Sequence, residues 1–128
     1  MADQADLARD LLALADDDCA AAYALLDVGE VSNAIVGFHA QQAVEKAFKA
    51  VLASRGRDFP FTHNIGLLIQ LCEDAGVEIP ESLGDADLLT PYGVALRYGA
   101  VSAGTVDRGM ATALAAGAVA WARQVLAG

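Results

Sequence analysis

The chain has 128 residues, of which 55% are hydrophobic, and its 17 acidic and 8 basic side chains give a formal net charge of −9. This length predicts one domain with a substantial core, and the acidic balance argues against indiscriminate binding to phosphate backbones. No continuous apolar run approaches the about 20 residues that cross a membrane, and the acidic N-terminus lacks a signal-peptide pattern. We therefore expect a cytoplasmic protein with no membrane contact.

Apolar residues recur at helical spacing along the whole chain, and no stretch alternates in the manner of a β-strand. The pattern predicts an all-α fold, a helical bundle in a single domain covering residues 1–128. The helices are expected at residues 4–28, 31–54, 63–75 and 91–98, with a last helix that begins near residue 105.

Small polar residues and glycines set the expected helix ends. The first helix should close at Gly29 in a left-handed conformation, and the second should be capped by Ser32 or Asn33. Thr62 is the expected cap of the third helix and Gly76 its end. The last helix should be capped by Thr105, with Asp107 in its first turn.

The cysteines and histidines are too few for a metal centre. Cys19 and Cys72 form no C-x-x-C pair and are predicted to be buried as small hydrophobes. Zinc sites need three or four ligands, and a di-iron bundle needs E-x-x-H pairs on facing helices. We expect neither a metal nor another cofactor.

The second helix carries a polar row behind its buried side. His39, Gln42, Lys46 and Lys49 follow a 3-4-3 spacing that keeps them in line on a helix, and Glu45 borders them. Four of the eight cations, Lys46, Lys49, Arg55 and Arg57, lie within twelve residues. If the protein binds an anion, this row or the loop after it is the expected place.

The predicted apolar face of the first helix consists of Leu7, Leu11, Leu14, Ala21, Ala22 and Leu25. Asp18 lies in the middle of that face, where a charge needs a partner. Two explanations are open. The carboxylate either reaches water at the edge of the bundle or pairs with an arginine from another helix, for which Arg97 is the candidate.

The loop between the second and third helices contains a second candidate site. Phe59 and Phe61 are expected to anchor this loop to the core. Arg57 precedes His63 by six residues, and a ribonuclease that uses the 2′-OH of RNA needs such a base together with a phosphate-binding cation.

Four stretches occur in a diagnostic order: ADDD at 15–18, FHAQQAVEKAFKA at 38–50, FPFTHNI at 59–65 and RYG at 97–99. Together they resemble the HEPN domain family over nearly the whole chain, and the A-Q-Q-x-x-E-K-x-x-K-A core is the most specific part. The resemblance implies an up-and-down bundle of about five helices, a homodimer, and a minimal nucleotidyltransferase as partner in a toxin–antitoxin-like pair.

The resemblance also implies two kinds of site. A nucleotide would be bound at Gln42, Lys46, Lys49 and Arg97. Many relatives are metal-independent ribonucleases with an R-x(4–6)-H motif at the start of a late helix. Here Arg97 stands near the family position, but Ser102, Ala103 and Gly104 follow it at that spacing; the spacing occurs instead from Arg57 to His63.

Three functions are therefore open. The first is a HEPN module that binds a nucleotide or nucleic acid and partners a nucleotidyltransferase. The second is a ribonuclease toxin in which His63 is the general base and Arg57 stabilises the phosphate. In the third, the polar row is structural: Gln42, Glu45 and Lys46 hydrogen-bond across a dimer interface or to Asp18 and Arg97.

Overall fold

The computed structural model describes residues 3–93 and 107–128. Within these ranges the chain is helical and contains no β-strand, which confirms the predicted all-α bundle. The elements are α1 (Gln4–Leu25), α2 (Asn33–Ser54), α3 (Ile65–Asp74), two 3₁₀ helices (Glu81–Leu83 and Ala86–Gly93) and α4 (Arg108–Ala127).

Helix α2 is the centre of the bundle. It packs against α1, α3, α4 and the second 3₁₀ helix, and 14 of its 22 residues are buried. Phe48 and Leu52 are completely enclosed, and the Phe48 ring lies 4.9 Å from the Trp121 ring of α4. This burial comes from alanine and valine between a few large side chains, as the composition predicts.

Helix α1 contacts the bundle mainly through small residues, and of its leucines Leu12 packs against the core in part. The buried positions are Ala8, Ala15, Cys19 and Ala22, whereas Leu7 and Leu14 are 40% and 49% exposed. The predicted face was therefore right at Ala22 but wrong at Leu7 and Leu14, because the buried stripe is displaced by one residue, a rotation of about 100°. Small side chains let two helix axes approach closely, so the alanine stripe forms the contact with α2.

Arg108, at the start of α4, binds the end of α1. Its guanidinium donates hydrogen bonds to the carbonyls of Leu25, Leu26, Val28 and Val31 and to the Asn33 side chain. The last carbonyls of a helix need partners outside it, and here an arginine supplies them. The predicted left-handed Gly29 was wrong: among the described glycines only Gly56 and Gly76 have positive φ.

The other helix ends agree with the sequence in part. Ser32 caps α2, as one of the two expected residues. Helix α3 begins later than predicted because Asn64, rather than Thr62, accepts the Leu67 amide. It ends at Gly76, where φ is 81°, as predicted.

The last part of the chain is described only from residue 107. Asp107 is the cap of α4 and accepts the Met110 amide; the predicted cap Thr105 lies outside the described residues. The predicted helix over 91–98 is a 3₁₀ helix as far as Gly93, and its remainder, with Arg97, also lies outside them.

Helix α4 is long and apolar enough to cross a membrane by length and composition alone. The sequence pattern had indicated no such stretch. In the bundle, however, α4 packs against α1 and α2, and Ala115, Ala118 and Ala122 are fully buried. A core helix of a globular domain meets the same criteria.

Both cysteines are free and buried, as predicted. Burial raises the pKa of the Cys72 thiol to about 12. The thiolate is the reactive form, so Cys72 is chemically inert at neutral pH and acts as a core side chain.

Candidate functional site

A buried carboxylate on α2 is the centre of the first polar cluster, which consists of Gln41, Glu45, Lys49 and His63. The Lys49 ammonium donates to Glu45 Oε2 over 3.0 Å, and the Gln41 amide donates to Oε1 over 3.0 Å. His63 Nδ1 lies 2.7 Å from the same Oε1. Gln41, Glu45 and Lys49 succeed one another at i, i+4 spacing, so one face of α2 presents all three.

The ionisation of Glu45 follows from these contacts. Burial by itself would raise the pKa of the carboxyl. Hydrogen bonds from Gln41, His63 and Lys49, together with the lysine charge, outweigh it and hold the pKa of Glu45 below its usual range. Glu45 is therefore a carboxylate at neutral pH, able to orient the histidine.

The second 3₁₀ helix covers this cluster closely. A Cβ at Gly93 would lie 2.9 Å from the Gln41 side-chain amide carbon, so only glycine leaves that amide in place. Gln41 also donates to the His63 carbonyl over 3.1 Å, which fixes the start of α3 against α2. No buried side-chain nitrogen or oxygen in the described ranges lacks a partner.

A second polar cluster joins α1 to α2 and consists of Asp18, His39 and Lys46. The Lys46 ammonium donates to Asp18 Oδ2 over 2.6 Å, and His39 Nδ1 lies 3.3 Å from Oδ1. Asp18 thus has a partner, though the expected Arg97 lies outside the described residues. The predicted Asp18–Arg97 pair stays a prediction.

Of the four predicted nucleotide-binding residues, Arg97 lies outside the described residues, and the other three do not form one site. Lys46 belongs to the Asp18 cluster and Lys49 to the Glu45 cluster, and the Gln42 amide donates to Gln41 Oε1 over 2.7 Å. Lys49 is only 8% exposed, whereas the sequence placed it in a polar row behind the buried side of the helix. A phosphate at either lysine would compete with a carboxylate already in place.

The loop from Arg55 to His63 differs because its cations are unpaired. Arg55 and Arg57 are exposed, and neither side chain makes an ion pair or hydrogen bond to any described residue. A left-handed Gly56, with φ of 68°, turns the chain, and the Arg57 amide bonds back to the Leu52 carbonyl. This is a Schellman ending, which allows both arginine side chains to extend from a rigid helix end.

The two phenylalanines of this loop behave differently. Phe59 packs against the core in part, as predicted, but the expectation for Phe61 was wrong because its side chain is 97% exposed. The Phe61 ring meets His63 edge-on at 5.9 Å. The Lys49 ammonium lies 5.6 Å from the Phe59 ring centre and 5.9 Å from that of Phe61.

His63 and Arg57, the predicted catalytic pair, share this loop but make no direct contact. Glu45 holds the Nδ1 side of the His63 ring, which leaves Nε2 without a hydrogen bond to the described residues. The sequence pattern placed Glu45 only beside the row and did not single out Gln41 as a site residue. The two successive i, i+4 steps from Gln41 to Glu45 and from Glu45 to Lys49 were the signal that could have identified both.

No group of three or more metal-binding side chains occurs within residues 3–93 and 107–128. In that part of the chain, the chemistry available is proton transfer at a histidine, hydrogen bonding and cationic contact with anions. Fold and site define a small all-α domain in which a central helix carries two clusters, each made of a carboxylate, a lysine and a histidine.

Comparison with known proteins agrees with this class. The family model described as HEPN domain matches residues 8–126. The chain is also similar to the crystal structure of the protein TT1696 from Thermus thermophilus, with 35% identity and a TM-score of 0.61; the match covers 94% of this chain and 93% of that one. No curated protein matches. The chain belongs to the HEPN domain family.

Proposed function

We propose that this HEPN domain binds a nucleotide or nucleic acid through an anion site at the loop after α2, and that it acts with a minimal nucleotidyltransferase. One observation carries the anion site. Among the seven cationic side chains of the described residues, only Arg55 and Arg57 have neither an ion pair nor a hydrogen bond; both are exposed, and they stand two residues apart in the chain. A phosphate there displaces no protein partner.

Neighbouring groups favour the same place. His63 is exposed over 34% of its side chain, and Lys49 lies behind it with part of its charge offset by Glu45. Asp58 is the only acid between Arg55 and His63, so the loop is locally cationic in a strongly acidic protein. Arginine suits phosphate because its planar fork donates two parallel hydrogen bonds.

The lysines of α2 have a lesser role in this proposal. Replacing Lys46 or Lys49 would leave Asp18 or Glu45 without its counter-charge and would test folding as much as binding. Lys49 contributes to the potential at the loop, while Lys46 serves the contact between α1 and α2. The third interpretation, a structural row, thus accounts for part of the clusters and is compatible with a binding loop.

The experiment is a titration of fluorescein-labelled single-stranded RNA, followed by anisotropy, with wild type and an Arg55→Ala/Arg57→Ala double variant. The matched control is Arg9→Ala/Arg123→Ala, which removes two exposed arginines elsewhere and leaves the loop intact. We expect the loop variant to lose about tenfold or more in affinity and the control to lose much less. The salt dependence should also fall by about two ion-release equivalents in the loop variant only.

Two results would contradict the anion site. One is the absence of binding by wild type to both RNA and nucleoside triphosphates. The other is an equal loss of affinity in the loop variant and the control, which would assign the effect to net charge rather than to a site.

A second candidate, a metal-independent ribonuclease, is favoured by the short Glu45–His63 contact. A carboxylate at Nδ1 fixes the ring and stabilises the imidazolium that forms when Nε2 takes a proton. In this scheme Nε2 of His63 removes the 2′-OH proton of RNA, and the 2′-oxygen attacks the adjacent phosphorus to form a 2′,3′-cyclic phosphate. The bond from phosphorus to the 5′-oxygen breaks, the leaving 5′-oxygen takes a proton from water, and Arg57 stabilises the charge that grows on the phosphate.

The test is cleavage of labelled RNA in the presence of a chelator, with His63→Ala and His39→Ala compared. The two histidines are matched, since each has one nitrogen near a carboxylate and about a third of its side chain exposed. The candidate predicts that activity is lost in the first variant and kept in the second. Equal cleavage by wild type and His63→Ala would reject the assignment.

The nucleotidyltransferase partner and the homodimer rest on family membership. We propose both, together with a cytoplasmic location. Leu7 and Leu14, seven residues apart on the outer side of α1 and well exposed, support self-association because they offer apolar surface at one face.

Sedimentation of the purified protein tests the dimer. Co-purification with the product of an adjacent nucleotidyltransferase reading frame tests the partner; a monomer that retains no such product would contradict both.

A further inference from the structure

Phe61 is the most exposed large apolar side chain in the described residues, at 97%. The protein has four phenylalanines; Phe48 is fully buried, and Phe38 and Phe59 are partly covered. A phenylalanine ring gains free energy from any apolar contact. Its full exposure at a loop of defined structure therefore marks a surface that a ligand can cover.

The loop holds this ring in a defined position. Pro60 precedes it and restricts the backbone, the Thr62 hydroxyl accepts the Asn64 amide over 3.1 Å, and the His63 carbonyl is bound by Gln41. The ring itself rests edge-on against His63 at 5.9 Å. Little ordering is therefore required when a flat ligand stacks on it.

The charges around the ring define what kind of flat ligand it fits. Lys49 lies 5.9 Å from its centre, and the free cations Arg55 and Arg57 precede it by only six and four residues, which limits their backbone separation to about 20 Å or less. A planar aromatic surface beside cations matches an unpaired base linked to phosphate. Bases of a duplex are already stacked and cannot use it.

We propose that Phe61 is a stacking platform for an unpaired base, so that the ligand of this site is a single-stranded nucleic acid or a free nucleotide rather than a duplex. The inference rests on the proposed anion site and adds the base to it. The phosphates contact Arg55 and Arg57, while the base covers Phe61.

The experiment compares two labelled strands of equal length, a short oligoadenylate and its abasic counterpart, in anisotropy titrations. Wild type, Phe61→Ala and Phe61→Trp are measured, with Leu88→Ala as the control because that leucine is also exposed, at 41%. We expect Phe61→Ala to weaken binding of the oligoadenylate about tenfold or more and to leave binding of the abasic strand unchanged. Leu88→Ala should match wild type on both strands.

The tryptophan variant gives an independent readout. The native Trp121 is only 7% exposed, so new emission sensitive to the solvent comes from position 61. We expect oligoadenylate to quench this emission and Phe61→Trp to bind at least as well as wild type. AMP and a duplex of the same length are the further arms: AMP should quench, and the duplex should not.

The outcomes separate the two proposals. Suppose that both strands bind wild type. If Phe61→Ala then weakens the binding of both strands equally, or weakens the binding of neither strand, the stacking platform is rejected and the anion site stands. If neither strand binds wild type, both are rejected. If Phe61→Ala changes the sedimentation of the protein alone while base-dependent binding is unchanged, Phe61 is a protein contact and the stacking inference is overturned.

Discussion

The Glu45 cluster and the Asp18 cluster contain the same chemical groups in different surroundings. Each joins one carboxylate to one lysine and one histidine, and each connects α2 to a neighbouring segment. The exposed fraction of the side chain is 5% for Glu45 and 10% for Lys49. It is 17% for Asp18 and 24% for Lys46. Glu45 also has a third partner, Gln41, which the Asp18 cluster lacks.

This difference shows how the polar residues of one helix can serve both the packing of the bundle and a candidate site. A buried ion pair depends on its geometry, since either charge is costly without the other, while a partly exposed pair can turn to water. The Glu45 cluster is therefore fixed and presents His63 at the surface in one orientation. The Asp18 cluster tolerates movement and mainly sets the contact between α1 and α2.

The largest expected effect is the loss of the buried charge. Glu45→Gln leaves the Lys49 ammonium in a buried site without its carboxylate, and we expect the free energy of unfolding to fall by about 3–5 kcal/mol. Asp18→Asn, the matched change in the other cluster, should cost about 1–2 kcal/mol because Lys46 can reach water. Urea unfolding measures both, and equal losses would contradict the distinction between the clusters.

A double-mutant cycle sharpens the same comparison. We expect a coupling of about 2 kcal/mol or more between Glu45→Gln and Lys49→Met, and of about 1 kcal/mol or less between Asp18→Asn and Lys46→Met. Burial strengthens the first interaction because little water screens it. The reverse order of the two couplings would show that solvent exposure does not govern them.

Acid should act on the Glu45 cluster in a defined direction. Because its folded-state pKa is lowered, Glu45 stabilises the fold above its unfolded pKa of about 4.3, and this contribution disappears as the pH falls through the folded-state pKa. Urea midpoints measured from neutral pH to about pH 3 should therefore fall more in wild type than in Glu45→Gln. Asp16→Asn, a change at an exposed carboxylate, should retain the wild-type acid dependence.

The smallest expected effect concerns an exposed pair of the same charges. Arg123 Nη2 lies 3.4 Å from Asp16 Oδ1, with both side chains more than half exposed. Arg123→Ala should change the free energy of unfolding by about 0.5 kcal/mol or less. A loss as large as that of Asp18→Asn would mean that this surface pair is coupled to the bundle in a way that its exposure does not suggest.

The sequence predicted what depends on local pattern. Helical periodicity placed the helices, and Gly76 and Ser32 were recognised because caps follow local chemistry. The row on α2 was also recognised, but its burial was not. The burial depends on the packing of Asp18 and His63, which belong to distant segments, against α2. No spacing within α2 reports this.

Two features were beyond the sequence for the same reason. The exposure of Phe61 contradicts the usual tendency of phenylalanine, and only the packed loop shows that Phe59 alone of the two rings packs against the core. The α1 face was misassigned because leucine is more hydrophobic than alanine, whereas a close contact between two helices favours the smaller alanine. In both cases packing across the bundle overrode residue-by-residue hydrophobicity.

Arg108 has a consequence for the order in which the chain assembles. Its hydrogen bonds join residues separated by 75 to 83 positions, so they form only after α4 has docked on the hairpin of α1 and α2. Contacts of such separation carry a loop-closure cost that local helical contacts do not. We expect Arg108→Ala to accelerate unfolding while leaving the folding rate nearly unchanged, as stopped-flow kinetics in urea would measure. The hydrogen bonds of Arg108 then form last during folding and break first during unfolding.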